Sequence, residues 1–167
     1  MTAKYFVDTN ILLYAVDEGA GARHEAARVI LDEIPPARQK VISTQVLQEF
    51  YTAAIRKLSF APTRARELTM LWANLEVVRI DLEDVMGAID CSILNRISFW
   101  DALIVTAAGK ANCETLWTED LNHGQIIQGV RIENPFLKSS SSGPSMVRES
   151  SAKRRPRRGK RDELYRV

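Results

Sequence analysis

Short apolar runs, each broken off by a polar residue, constrain this chain most. Tyr5-Phe6-Val7 stops at once at Asp8, the pattern of a buried strand ending in a polar residue. Val41-Ile42, Val77-Val78-Arg79-Ile80, Thr115-Leu116-Trp117-Thr118 and Val130-Arg131-Ile132 read as further brief strands. Between these runs, apolar residues recur at helical spacing. Residues 24–34 carry Ala27, Ile30, Leu31 and Ile34 and stop at Pro35-Pro36. A helix over about 45–58 follows, with Ser43 or Thr44 suited to cap it, and another runs from Pro62 or Thr63 to about Leu75. Two more are expected over about 82–95 and 99–111. Strands alternating with helices predict an α/β domain with a mainly parallel central sheet flanked by helices. No internal repeat is visible.

The chain has 167 residues, enough for one domain with a real core. Its net charge of +2 conceals two unlike parts. Residues 1–137 hold 13 Lys+Arg against 18 Asp+Glu, and residues 138–167 hold 10 against 3. The join is Lys138, four serines (Ser139 to Ser142), Gly143, Pro144 and Ser145, the composition of a linker. The organisation expected is a folded domain over 1–137 and a Ser-rich linker with a basic, disordered tail over 138–167. The run Lys153-Arg154-Arg155-Pro156-Arg157-Arg158 suits nucleic-acid phosphates, and reads equally well as a solvated appendage. No apolar run reaches the length of a membrane span, and the first residues lack the apolar stretch of a secretory signal, so a cytoplasmic protein is expected. Cys91 and Cys113 form no metal-ligand pattern and read as reduced thiols.

Ligands of open α/β sheets bind beyond the carboxyl ends of the strands. Asp8 and Asp120 each follow a predicted strand, so both fall at that edge. As alternatives, Asp8 caps a helix starting near Ile11, and Asp120 is a turn residue in Asp120-Leu121-Asn122-His123-Gly124. Asp101 is the only charge in Phe99-Trp100-Asp101-Ala102-Leu103-Ile104-Val105-Thr106-Ala107-Ala108, a helix apolar nearly all round and expected to be buried. A buried, unpaired carboxylate is costly unless paired or metal-bound. The competing role is a capping box with Ser98 as N-cap. Glu49 falls at the edge of the apolar face formed by Val46, Leu47, Phe50, Ala53, Ala54 and Leu58, which also describes an ordinary boundary glutamate.

Together these blocks resemble the PIN-domain family over about residues 4–137. Phe6-Val7-Asp8-Thr9-Asn10-Ile11-Leu12-Leu13-Tyr14 resembles the family's strand-Asp-x-Asn opening. Gln45-Val46-Leu47-Gln48-Glu49-Phe50-Tyr51, Ile97-Ser98-Phe99-Trp100-Asp101-Ala102-Leu103-Ile104 and Leu116-Trp117-Thr118-Glu119-Asp120 follow in order at family-like spacing. The resemblance implies a three-layer PIN-like fold. It makes Asp8, Glu49, Asp101 and Asp120 metal ligands or water-positioning acids, supported by Asn10 and Thr118. It implies a metal-dependent endoribonuclease and, through the branch of VapC toxins in VapBC pairs, an RNA substrate, a small antitoxin partner and a homodimer.

The residue types agree with that chemistry. Oxygen ligands suit Mg²⁺ or Mn²⁺, and soft ligands are missing from the pattern. Carboxylates alone repel an RNA backbone, so a metal must invert the local charge. Glu119 competes with Asp120 for the fourth place; Asp120 matches the acid two residues after the threonine. His123 reads as a surface turn residue, His24 as an exposed helix-start residue, and Trp72, Trp100 and Trp117 as core rather than base-stacking residues. A haloacid-dehalogenase-type phosphatase would need Asp where Asn10 stands. A nucleotide-binding Rossmann module would need glycines, and residues 8–14 have none. A catalytically silent PIN domain serving as a binding or assembly module is the alternative function.

Overall fold

The computed structural model describes residues 3–33 and 39–140. Pro35-Pro36, the linker beyond Ser140 and the basic run at 153–161 lie outside the described residues. The strands are β1 (Tyr5–Val7), β2 (Lys40–Ser43), β3 (Glu76–Val78), β4 (Thr115–Trp117), β5 (Ile126–Ile127) and β6 (Val130–Glu133). The helices are α1 (Thr9–Val16), α2 (Ala22–Glu33), α3 (Thr44–Arg56), α4 (Pro62–Trp72), α5 (Leu82–Asn95) and α6 (Phe99–Lys110). One sheet joins the strands in the order β3-β2-β1-β4-β6-β5, parallel throughout except for the β5–β6 pair. Helix α1 packs against α2 and α3, and α3 against α4. Helix α5 pairs with α6, which lies along β2, β4 and β6. The expected mainly parallel sheet flanked by helices is the fold observed.

The core follows from the short apolar runs. Phe6, Val7, Val41, Ile42, Leu116 and Ile132 are fully buried on the strands, which explains why they read as continuous apolar runs rather than alternating ones. Val46 and Phe50 from α3 and Val105 from α6 close over them. Ser43 ends β2 and caps α3, its Oγ accepting from the Val46 amide at 3.3 Å. Pro62 sits in the first turn of α4, where its missing amide costs nothing.

Several element limits differ from expectation. Strand β3 stops at Val78 rather than Ile80. Its partner ends at Ser43, and the Ile80 amide is taken instead by the Thr44 hydroxyl at 3.3 Å. Helix α4 ends at Trp72, three residues early, and the Leu75 amide closes a turn on the Trp72 carbonyl. Strand β5 has two residues and pairs antiparallel at the sheet edge, too short to leave a periodic signal. Helix α6 is buried along 102–105 and at 107–108 but not at its start, where Asp101 is partly exposed and Trp100 is 61% exposed. The expectation that Trp100 is core fails because it sits in the first turn, beyond the edge of the sheet.

Chain order places the acids. From β1 the chain builds β2 and β3 on one side, then crosses to lay β4 on the other. The crevice between β1 and β4 is thus the switch point of the sheet, where open α/β sheets bind ligands. Asp8 leaves β1 there, and Thr118 to Asp120 leave β4 there.

Candidate active site

Asp8, Glu49, Asp101 and Asp120 all line one cleft of about 500 Å³, together with Thr9, Asn10, Gln45, Arg56, Lys57 and Trp100, among others. Asp8 is the deepest acid, only 6% exposed. Its Oδ1 accepts from the Thr9 amide at 2.6 Å, so it caps α1 while facing the cleft. Its Oδ2 accepts from the Thr118 hydroxyl at 2.6 Å. The same hydroxyl oxygen accepts from the Asp120 amide at 3.1 Å, linking the loop after β4 to the acid after β1. Asn10 Nδ2 donates to Asp120 Oδ2 at 2.8 Å. Asn10 and Thr118 therefore both contact acids of the cleft.

Glu49 reaches the cleft from the edge of the apolar face of α3. Thr9 Oγ1 donates to its Oε2 at 2.8 Å, and Gln45 Nε2 donates to its Oε1 at 2.8 Å. Asp101 lies in the first turn of α6. Ser98 caps that helix, its Oγ accepting from the Asp101 amide at 3.1 Å, and the Ser98 hydroxyl donates to Asp101 Oδ2 at 2.7 Å. Asp101 thus sits at a capped helix start and on the cleft wall at once. The two roles weighed from the sequence are not exclusive.

Other sequence candidates lie elsewhere. Glu119 turns away from the cleft to form an ion pair with Arg23 and to accept from the Tyr14 hydroxyl at 2.6 Å. The Nδ1 of His123 accepts from the Asn134 amide at 3.0 Å, so the ring ties its turn to the segment after β6. His24 is half-buried rather than exposed, with Nδ1 at 2.9 Å from the Tyr14 carbonyl. Sequence reasoning missed Gln45, Arg56 and Lys57. Gln45 is 4% exposed and precedes Glu49 by one helical turn, a spacing that could have found it. Arg56 and Lys57 lie two turns beyond Glu49, toward the end of the same helix.

Electrostatics mark the cleft as short of positive charge at its floor. Burial pushes the Asp8 carboxyl up to about 7; the bonds from Thr118 and Thr9 oppose this, and the charges of Asp120 and Glu49 add to it. The groups acting on it include no cationic side chain. The Asp120 carboxyl is also raised, first by burial and then by Asp101 and Glu119, with Lys57 opposing. Among the described residues, no group of three His, Cys, Asp or Glu side chains is gathered closely enough to hold a metal ion as it stands. The donor set nevertheless fits a hard divalent cation: four carboxylates face one cleft, and two of them are raised by burial and by neighbouring carboxylates.

The model of the PIN domain matches residues 5–126. The chain belongs to the PIN-domain family. No curated protein matches it significantly in sequence. The solved structures that share its fold include the following three. VapC20 of Mycobacterium tuberculosis, described as a toxin cleaving the sarcin–ricin loop, is 22% identical, with 70% of this chain and 90% of that one covered and a TM-score of 0.56. DNA-bound VapBC from Salmonella typhimurium is 23% identical, covering 79% and 98% at a TM-score of 0.58. A toxin–antitoxin complex from Klebsiella pneumoniae is 23% identical, covering 80% and 98% at a TM-score of 0.59. The match of the family model begins with β1 and spans all four acids of the cleft. No helix of this PIN domain, among the described residues, is long and apolar enough to cross a membrane.

The Asp8 shift gives a pH prediction for the metal-free protein. Its folded pKa stands above the ordinary value of 3.8, so the folded chain keeps a proton that the unfolded chain has released. Its contribution to stability is full below about pH 4 and is lost as pH rises to about 7. Chemical denaturation in chelator across that range should show stability falling. Asp8→Asn should flatten the fall by an amount on the order of 4 kcal/mol. An identical pH slope in the variant would contradict the assignment.

Proposed function

We propose that this PIN domain is a metal-dependent endoribonuclease, acting as the toxin of a toxin–antitoxin pair. The observation that carries the reading is the convergence of Asp8, Glu49, Asp101 and Asp120 on one cleft at the switch point of the sheet. Mg²⁺ or Mn²⁺ fits this all-oxygen donor set, with the four acids as its holders. When bound, the ion would activate water and stabilise the oxygen leaving a phosphodiester. Asn10 and Thr118 orient the acids: Asn10 holds one oxygen of Asp120, and Thr118 joins Asp120 to Asp8. Thr9 and Gln45 hold the two oxygens of Glu49. Arg56 and Lys57, on the same cleft, supply positive charge for a phosphate backbone.

Partners follow from the same reading. The Salmonella and Klebsiella structures are toxin–antitoxin complexes, which supports a small antitoxin for this chain. A homodimer is proposed as well, through α5. Leu82, Met86, Ile89 and Ile93 form a stripe at helical spacing and are all exposed, an apolar surface that a second copy would cover. The basic tail is proposed to add non-specific attraction to RNA, and the boundary between domain and tail is placed at about residue 138.

Asp101→Asn tests the catalytic reading. The amide keeps the size of the side chain and an oxygen for the Ser98 hydroxyl, but removes the charge. Metal-dependent cleavage of RNA should fall by more than about 100-fold, since even outer partners of a metal site are worth 10 to 100. Stability in chelator should stay within about 0.5 kcal/mol. Cleavage that survives the change would leave Asp101 as a helix-start residue only. Wild-type protein that binds RNA but never cleaves it with either metal would be a binding module.

Deleting residues 139–167 should leave cleavage of a short RNA intact and lower the slope of log affinity against log salt by more than about 1, because fewer counterions are released. An unchanged slope would make the tail an appendage. For the dimer, sedimentation should give twice the chain mass for the wild type and the chain mass for Ile93→Lys, whose side chain is 70% exposed. A wild type that stays monomeric at high concentration would rule the dimer out.

A further inference from the structure

Trp100 opens α6 immediately before Asp101, yet it is 61% exposed. A large aromatic left in solvent beside an acidic cleft is unlike the scattered apolar residues of ordinary surfaces. It is also held in place. The Phe99 ring packs against it at 5.2 Å, and its own carbonyl accepts from Gln45 Nε2 at 3.3 Å. Beside Trp100 lies a side hollow of about 350 Å³, lined by Trp100, Gln45, Gln48, Glu49 and Thr52. Four of these residues also line the acid cleft, so the two spaces are neighbours that share a wall.

Helix α3 forms the shared wall. Gln45, Glu49, Thr52, Arg56 and Lys57 follow one another along it. Gln45 and Arg56 are separated by about 16 Å along the helix axis at 1.5 Å per residue. One end of the wall therefore presents an aromatic face with the exposed amide of Gln48, and the other end presents two cations. Glu49 stands between them, with Asp101 across the cleft. This is the layout of a surface for single-stranded nucleic acid, where bases stack on aromatic rings and cations follow the backbone.

We propose that Trp100 is a stacking platform for an unpaired base next to the scissile phosphate, with the strand running along α3 toward Arg56 and Lys57. The proposal rests on the nuclease reading and narrows its substrate to RNA with unpaired nucleotides. A base inside a duplex already has both faces stacked and cannot enter the hollow. Trp100 is thus a specificity-determining residue, and its backbone bond to Gln45 persists when the ring is changed.

The test compares wild type, Trp100→Ala and Trp100→Phe as full chains, with a mixed-sequence single-stranded oligoribonucleotide, the same strand annealed to its complement, and Mn²⁺. For the single strand, Trp100→Ala should raise KM about 10-fold, as the loss of one stacked base does, with kcat changing far less. Trp100→Phe should restore most of the loss, and cleavage of the duplex should be poor in all three proteins. Circular dichroism should show the same fold throughout. An unchanged KM in Trp100→Ala, with the wild type active, would overturn the platform and leave the nuclease standing. An equal loss on the duplex would also overturn it. If Trp100→Ala changed only the sedimentation mass, the ring would belong to a protein interface and the proposal would fail. A wild type inactive on RNA with both metals would remove the nuclease reading and this proposal together.

Discussion

The structure depends on a buried carboxylate at the seam of two parallel strands. Asp8 is held from its own chain direction by the Thr9 amide and across the seam by the Thr118 hydroxyl. The strands themselves meet beside it, where the Asp8 amide donates to the Trp117 carbonyl at 3.1 Å. One side chain therefore starts α1, ties β1 to the end of β4 and sets the floor of the cleft. Two hydrogen bonds favour its charged form, but burial and the neighbouring acids outweigh them and lift its carboxyl toward neutrality. The fold bears that strain where an added positive charge would relieve it.

The surrounding polar groups are arranged to hold acids rather than to neutralise them. Glu49 receives bonds from α1 and from its own helix, and Asp120 receives one from Asn10. The neighbouring carboxylate, Glu119, goes to the opposite side and is balanced by Arg23, which also stacks on Tyr14 and Phe136. Adjacent residues of one loop thus serve unlike purposes. Glu119 fastens the loop to α1 and α2, while Asp120 is left facing the cleft.

The parallel sheet was legible because its central strands, β1, β2 and β4, are buried on both faces and stand out as apolar runs. The acids at β1 and β4 were legible because strand ends are readable from the same runs. Glu49 was legible as an edge residue on the helical wheel. What could not be read was direction at the ends of elements. Trp100 belongs to an apolar string, and only the position of the first turn of α6 beyond the sheet edge puts its ring in solvent. Gln45 could have been paired with Glu49 by spacing alone, but its second bond, to the Trp100 carbonyl, joins residues 55 positions apart and leaves no local trace. Strand β5 escaped because two residues cannot show a period.

The crossing of the chain from β3 to β4 has a consequence for when the cleft exists at all. Asp8 and Thr118 are 110 residues apart, as are Asn10 and Asp120. During synthesis the first acid emerges early, but its partner across the seam is absent until β4 has been made and laid beside β1. Every truncated or half-folded chain lacking that strand lacks one wall of the site. The cleft is therefore a late product of chain completion, and fragments of this protein carry the acids without the arrangement that brings them together.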